Sequence, residues 1–177
     1  MEQAPAETST LASLAGRLAA LISDGLSPGD VATMRRMRPD EIGAPIFWRL
    51  AASELAGEFT TEGPRRDRQE RRWAVILQAM AEMRHLHDPR KSLGASLADA
   101  DIAEQRLLKL LRAGDDALFD AVRVIAHHLA TRGVATNTAD LARLILSDGG
   151  PNQESVRRKL ARDFYGAQSR KETASAS

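Results

Sequence analysis

The chain of 177 residues contains no cysteine. That excludes disulfides, a thiolate zinc site and a cysteine nucleophile, and it leaves a reducing compartment open. Aromatic residues are scarce at 4%, and Val, Ile and Thr are sparse beside Ala, Leu and Arg, so the composition is helical and shows no pattern of strands. No apolar run reaches the length of a membrane-spanning helix, and none near the start resembles a signal peptide. A soluble, cytoplasmic protein is expected. Net charge is nearly absent as well: 25 basic residues face 24 acidic ones, leaving +1. That average hides patches, because residues 1–30 carry Arg17 against Glu2, Glu7, Asp24 and Asp30, whereas Arg35, Arg36, Arg38 and the run from Arg65 to Arg72 follow close together.

What is present is amphipathic helix. The chain is 43% hydrophobic and 28% charged, enough for one core, and the expected fold is all-α: a compact bundle of about seven to nine helices without a sheet. Residues 1–8 read as a flexible N-terminus, 9–166 as a single helical domain with a loop or linker near 57–66, and 167–177 as a disordered tail. Leu11, Leu14, Leu18, Leu21 and Ile22 keep one face up to Gly25. Ser27-Pro28-Gly29-Asp30 then opens a short helix that Arg38-Pro39 closes. Pro45 starts another, with Phe47, Leu50 and Ala51 inward and Trp48 expected to pack, in part at a subunit contact. Arg65 to Arg72 reads as half loop and half first turn of a helix through Trp73, Ile76, Leu77 and Met80. Asp115 or Asp116 caps a helix with Leu118, Val122, Ile125 and Leu129, and Asn137 caps the next, with Leu141, Leu144 and Ile145. The last helix turns Val156, Leu160 and Phe164 inward and closes at Gly166.

The stretch from Ser92 to Gly114 organises the rest. Its second half reads as a helix capped by Asp99 or Asp101 and stopped at Gly114, with Leu107, Leu108, Leu110 and Leu111 on one broad face. Arg106, Lys109 and Arg112 fall together on the opposite face. At about 1.5 Å rise per residue, this row of cations repeats roughly every 4.5 Å, a spacing that suits a line of phosphates. No acidic residue four positions away on that face neutralises it. A solvated helix face is the plain alternative.

No catalytic set accompanies these faces. A Gly-rich phosphate loop, a nucleophile elbow and a Ser/His/Asp set are all missing. His87-Asp88 invites comparison with metal-dependent phosphohydrolases of the HD class, but those need a further His upstream and none precedes His85. On a helix His85 and His87 would point about 200° apart, and the adjacent His127 and His128 about 100° apart. No catalytic residue, metal ligand or cofactor is expected.

Three segments together resemble the CasB-type small subunit of Cascade, the type I-E CRISPR surveillance complex. They are Gly29-Asp30-Val31-Ala32-Thr33-Met34-Arg35-Arg36 followed by Pro45-Ile46-Phe47-Trp48-Arg49-Leu50; Ser92-Leu93-Gly94-Ala95-Ser96-Leu97-Ala98 with Glu104 to Ala113; and Val156-Arg157-Arg158-Lys159-Leu160-Ala161-Arg162-Asp163-Phe164-Tyr165. The resemblance implies an all-helical, non-enzymatic subunit, present as two copies beside the backbone and large subunits of the complex. Such a subunit contacts CRISPR RNA and target DNA and helps hold the displaced non-target strand of the R-loop in antiviral defence. The basic residues it implies are Arg35 and Arg36 from the first segment, Arg106, Lys109 and Arg112 from the second, and Arg157, Arg158 and Arg162 from the third. The Arg65–Arg72 run matches none of the three. Two readings from other classes stand beside this one: an all-helical protein–protein interaction or regulatory module without nucleic-acid binding, and a helix-turn-helix DNA reader using Asn137 to Arg162, for which Gly149-Gly150-Pro151 makes a poor turn.

Overall fold

The computed structural model describes residues 4–60 and 62–176. Among them are nine α-helices and no strand beyond two isolated bridges, Arg38 with Glu41 and His87 with Thr136. Helix α1 (Ala4–Ala20) runs into a single π turn, Leu21–Gly25, in which the Leu26 amide bonds the Leu21 carbonyl at 2.9 Å. Helix α2 (Pro28–Arg35) begins where the Ser27 hydroxyl accepts the Asp30 amide at 3.1 Å, with Pro28 in the first turn. Helix α3 (Pro45–Ser53) also starts on proline and is followed by a 3₁₀ turn, Ala56–Glu58.

Helix α4 (Pro64–Glu82) is the axis of the fold. Nine consecutive residues, Trp73 to Ala81, are buried, so this segment has no solvent stripe and neighbours surround it: α2 on one side, α7 (Asp115–Arg132) and α8 (Thr138–Leu146) on the others. Even its polar Gln78 is spent inside, donating to the carbonyls of Arg35 (2.9 Å) and Met37 (2.8 Å) at the end of α2. Helices α4 and α7 run parallel, tied by Arg71–Asp116 at 2.7 Å near one end and Glu82–His127 at 2.8 Å at the other. Helix α5 (Leu93–Asp99) packs closely on α9 (Gln153–Ser175). Gly94 makes that approach possible, since a Cβ there would meet the Leu160 carbonyl oxygen, Asp163 Cβ at 2.7 Å and the Phe164 amide at 2.8 Å. Helix α6 (Glu104–Arg112) lies against α7 and α9.

The structure departs from the sequence reading at several places. Helix α1 is already formed at Ala4, inside the segment expected to be flexible; residues 1–3 lie outside the described residues. Arg65 to Arg72 is wholly helical, because the left-handed Gly63 (φ 93°) turns the chain directly into Pro64. Helix α5 was not anticipated; the Ser92 hydroxyl caps it. Neither Asp99 nor Asp101 caps α6, which follows Ala103, and Asp115 does not cap α7: its amide is itself bonded by the Asp148 carboxylate at 2.8 Å. Helix α9 does not stop at Gly166. It continues to Ser175, because Ala167 is buried and Lys171 reaches the Ala98 carbonyl at 3.0 Å and the Asp101 carboxylate at 2.6 Å. Trp48 packs only its edge on Phe47, its indole NH donates to the Ile42 carbonyl at 3.3 Å, and the residue is 45% exposed.

Candidate nucleic-acid interface

Helix α6 has the amphipathic build its sequence predicts. Leu107 and Leu110 are fully buried, while Arg106, Lys109 and Arg112 are exposed and have no hydrogen-bond or ion-pair partner among the described residues. A nine-residue helix resting on two leucines is weakly held by itself, and side chains from elsewhere secure both of its ends. On the entry side, His128 Nε2 donates to the Ala100 carbonyl at 2.8 Å, Lys171 bonds Asp101, and the Tyr165 hydroxyl donates to Glu104 at 2.6 Å. The Lys171 ammonium holds the Asp101 carboxyl below the usual carboxylate range, and the Glu104 carboxylate raises the Tyr165 phenol. At the exit, Arg157 donates to the Ala113 carbonyl and to Asp148 Oδ1 at 3.0 Å.

These ties make α9 antiparallel to α6, with Ala113 against Arg157 and Glu104 against Tyr165. Between them, Arg158 and Arg162 project from the solvent edge of α9 next to α6, within about a quarter-turn of the side that faces it. Arg162 has no partner among the described residues. Arg158 pairs with Glu154 at 2.8 Å, but both side chains are about 70% exposed, so the pair contributes little and opens easily. The second and third sequence segments thus lie on two helices tied together at both ends, although they are some fifty residues apart in the chain, and Arg162 also lines a cleft toward α5 and α8.

Arg157 is set apart from that surface. Its side chain is 15% exposed and its partner Asp148 only 7%. Arg35 is half committed: its Nε donates to the Ala81 carbonyl at 2.9 Å, with Glu82 at 3.8 Å. Arg36 beside it is exposed and unpaired among the described residues. This first group sits near the Glu82–His127 end of the α4–α7 pair, whereas Arg112 leads into the Asp116 end, so the structure does not join it to the α6–α9 surface. The Arg65–Arg72 run divides in the same way. Arg65 and Arg68 are exposed and unpartnered among the described residues, while Arg66 pairs with Glu70 and lies over the Phe59 ring, Arg71 pairs with Asp116, and Arg72 donates to the Asp148 carbonyl at 2.7 Å and the Leu146 carbonyl at 3.4 Å.

The histidines have other occupations. His87 Nδ1 takes a hydrogen bond from the Thr138 hydroxyl at 2.8 Å, and burial pushes its pKa down. Asp88 turns to Arg90. Among the described residues no three His, Asp or Glu side chains cluster as metal ligands, and no helix is long and apolar enough to cross a membrane. A cleft of about 260 Å³ between α5, α8 and α9 is lined by two neutralised pairs, Arg143 with Asp140 and Lys159 with Asp163, and by Arg162, unpaired among the described residues.

The family description "CRISPR-associated protein Cse2" matches residues 30–165. The chain belongs to the Cse2 family. Among solved structures this Cse2 protein is similar to a chain in the crystal structure of E. coli Cascade bound to a PAM-containing double-stranded DNA target, with 26% identity and a TM-score of 0.66 over 88% of this chain and 96% of that one. It shares its fold with a chain of a CRISPR RNA-guided surveillance complex at 22% identity and a TM-score of 0.66, covering 96% of this chain and 99% of the other. No curated protein sequence matches. The span of the Cse2 match includes all of α6 and the part of α9 that carries Arg157, Arg158 and Arg162; the last turns of α9, with Lys171, extend past it.

Proposed function

We propose that this Cse2 protein is the non-catalytic small subunit of a type I-E Cascade complex, acting in the cytoplasm as two copies beside the backbone and large subunits. It holds CRISPR RNA and target DNA by their backbones and steadies the displaced strand of the R-loop. The observation that carries this reading is the α6–α9 pair, where Arg106, Lys109, Arg112 and Arg162 are exposed without partners and Arg158 is only loosely paired. Exposed guanidinium and ammonium groups on a rigid helical frame bind phosphates and carry no base readout. None is needed in a complex where guide pairing reads the sequence. Arg36 and the half-committed Arg35 form a second, separate contact.

The test is fluorescence-anisotropy binding of the purified protein to single strands of unrelated sequence across a salt series. Replacing Arg106, Lys109 and Arg112 by Ala weakens binding equally for all sequences. It lowers the slope of log affinity against log salt by about 2, from roughly 0.7 per phosphate contact on single strands. An unchanged slope removes the stripe from nucleic-acid binding and leaves the basic faces to acidic protein surfaces.

A further inference from the structure

Arg157 looks, in sequence, like its neighbours Arg158 and Arg162, but it is built into the protein. Its guanidinium bridges the Ala113 carbonyl, the last turn's exit from α6, and the buried Asp148 carboxylate. The other oxygen of that carboxylate takes the Asp115 amide at 2.8 Å, and Gly114 packs so that a Cβ there would lie 3.6 Å from the carboxylate. Asp148 thus receives the first amide of α7 and the α9 arginine at the point where α6 hands over to α7. Asp115 there has φ 48°, in the left-handed region that aspartate tolerates better than most residues. Because α6 buries only Leu107 and Leu110 fully, its direction depends on the ties at its two ends, and this junction is the one beside Arg112.

We infer that Asp148 and Arg157 are positioning residues for the α6 stripe, Arg157 acting on nucleic acid through α6 and not by touching phosphate. The inference rests on the nucleic-acid reading of that stripe. It makes a prediction opposite in sign to simple electrostatics: Asp148 is an acid, and deleting an acid near a cationic surface tightens phosphate binding if charge alone matters. If Asp148 positions α6, deleting it weakens binding.

The experiment compares D148N, R157M and the exposed-acid control D116N, in the native stripe and in the R106A/K109A/R112A background. Anisotropy is read with a single-stranded DNA of mixed sequence, at low salt and at a temperature where circular dichroism shows each variant folded. D116N removes a carboxylate that is 75% exposed, whose surface pair with Arg71 contributes little, and gives the charge baseline. D148N is expected to bind about fivefold more weakly than the native protein, within the range by which residues without ligand contact modulate coupling. R157M is expected to weaken binding similarly in the native stripe and to cost nothing further once the stripe is gone. D148N binding as tightly as D116N overturns the inference, and so does an R157M loss that persists undiminished in the stripeless background, which marks Arg157 as a direct phosphate contact. If D148N does not fold, the R157M pair decides alone. If the triple variant itself binds like the native protein, it is the proposed function of the stripe that has failed, whatever the positioning variants do.

Discussion

Replacing either of two glycines by alanine adds the same methyl group and, in this fold, moves stability in opposite directions. In a helix interior Ala is favoured over Gly by about 0.5–1 kcal/mol. At Gly166 nothing opposes that gain. The residue lies within α9, and an added Cβ has only the Arg170 guanidinium near it, at 3.6 Å, an ordinary contact. Gly166→Ala therefore stabilises by about 0.5–1 kcal/mol. At Gly94 the Cβ meets the Leu160 carbonyl, Asp163 Cβ at 2.7 Å and the Phe164 amide at 2.8 Å. Non-bonded atoms pack best at about 3.5–4.0 Å, and here two of the three are backbone, so α5 must move off α9 by roughly 1 Å. Overpacking of this kind costs about 1–3 kcal/mol. With both ranges taken at their centres, Gly94→Ala destabilises by about 1 kcal/mol. For a chain of this size 1 kcal/mol shifts Tm by about 2–4 °C, so calorimetry should show Tm falling about 2–4 °C for Gly94→Ala and rising about 1–4 °C for Gly166→Ala. A raised Tm for Gly94→Ala refutes the close α5–α9 approach. A lowered Tm for Gly166→Ala refutes a helix running through that position.

Two further perturbations separate stability from binding. Burial lowers the His87 pKa below its ordinary value near 6.5, so the unfolded chain takes up the proton more readily than the folded one. The contribution of His87 is present above pH 6.5 and is lost as pH falls through the region below it; denaturant midpoints should drop between about pH 7 and pH 5, and His87→Gln should flatten that drop. Arg72→Met removes the donor to the Leu146 and Asp148 carbonyls, which should cost about 2 kcal/mol in denaturant unfolding while leaving the salt slope of DNA binding unchanged. Arg112→Ala should do the reverse; a salt slope that moves with Arg72 and not with Arg112 would invert the division of labour drawn above.

The helices that sequence periodicity exposes best are those with a long regular stripe, such as Leu118, Val122, Ile125 and Leu129 in α7, all buried, and the Asn137 cap of α8, whose Oδ1 accepts the Ala139 amide at 3.0 Å. Helix α5 was hidden because its seven residues include Gly94 and three other small residues and offer only Leu93 and Leu97 as a stripe, and its main support is the contact with α9. The last turns of α9 read as disordered because they are polar. Their anchor, the Lys171–Asp101 bond, joins residues seventy positions apart, a separation no local pattern reports. The exposed row on α6 was legible from spacing alone, but the antiparallel setting of α9 beside it was not, since that depends on the Tyr165–Glu104 and Arg157–Ala113 bonds. Arg157 shows the opposite failure: its place in a basic run predicts exposure, and the turn of α9 that buries it is fixed by Asp148.

The arginine content has a structural explanation that composition conceals. A helix leaves its last carbonyls without partners and carries a partial negative charge at that end. In this fold cations from other elements repeatedly fill that place: Arg84 bonds the Ser23 carbonyl at 2.7 and 3.1 Å where α1 unwinds, Arg35 the Ala81 carbonyl of α4, Lys171 the Ala98 carbonyl of α5, Arg157 the Ala113 carbonyl after α6, and Arg72 the carbonyl of Leu146 at the end of α8. Each bond both caps a helix and crosses between elements, which suits a bundle of short helices with few aromatic residues to bury. A guanidinium can do this and remain charged, since it presents several donors in a fixed plane. Charge in this chain therefore has two employments that its residue types do not distinguish. The cations consumed by helix ends hold the frame, whereas Arg106, Lys109 and Arg112 on α6, with Arg36, Arg65, Arg68 and Arg162 elsewhere, stay exposed without partners among the described residues. A net charge of +1 is compatible with exposed cations on α6 because most acids pair with other surface cations, as Asp30 does with Arg49 and Glu70 with Arg66, and none among the described residues pairs with Arg106, Lys109 or Arg112.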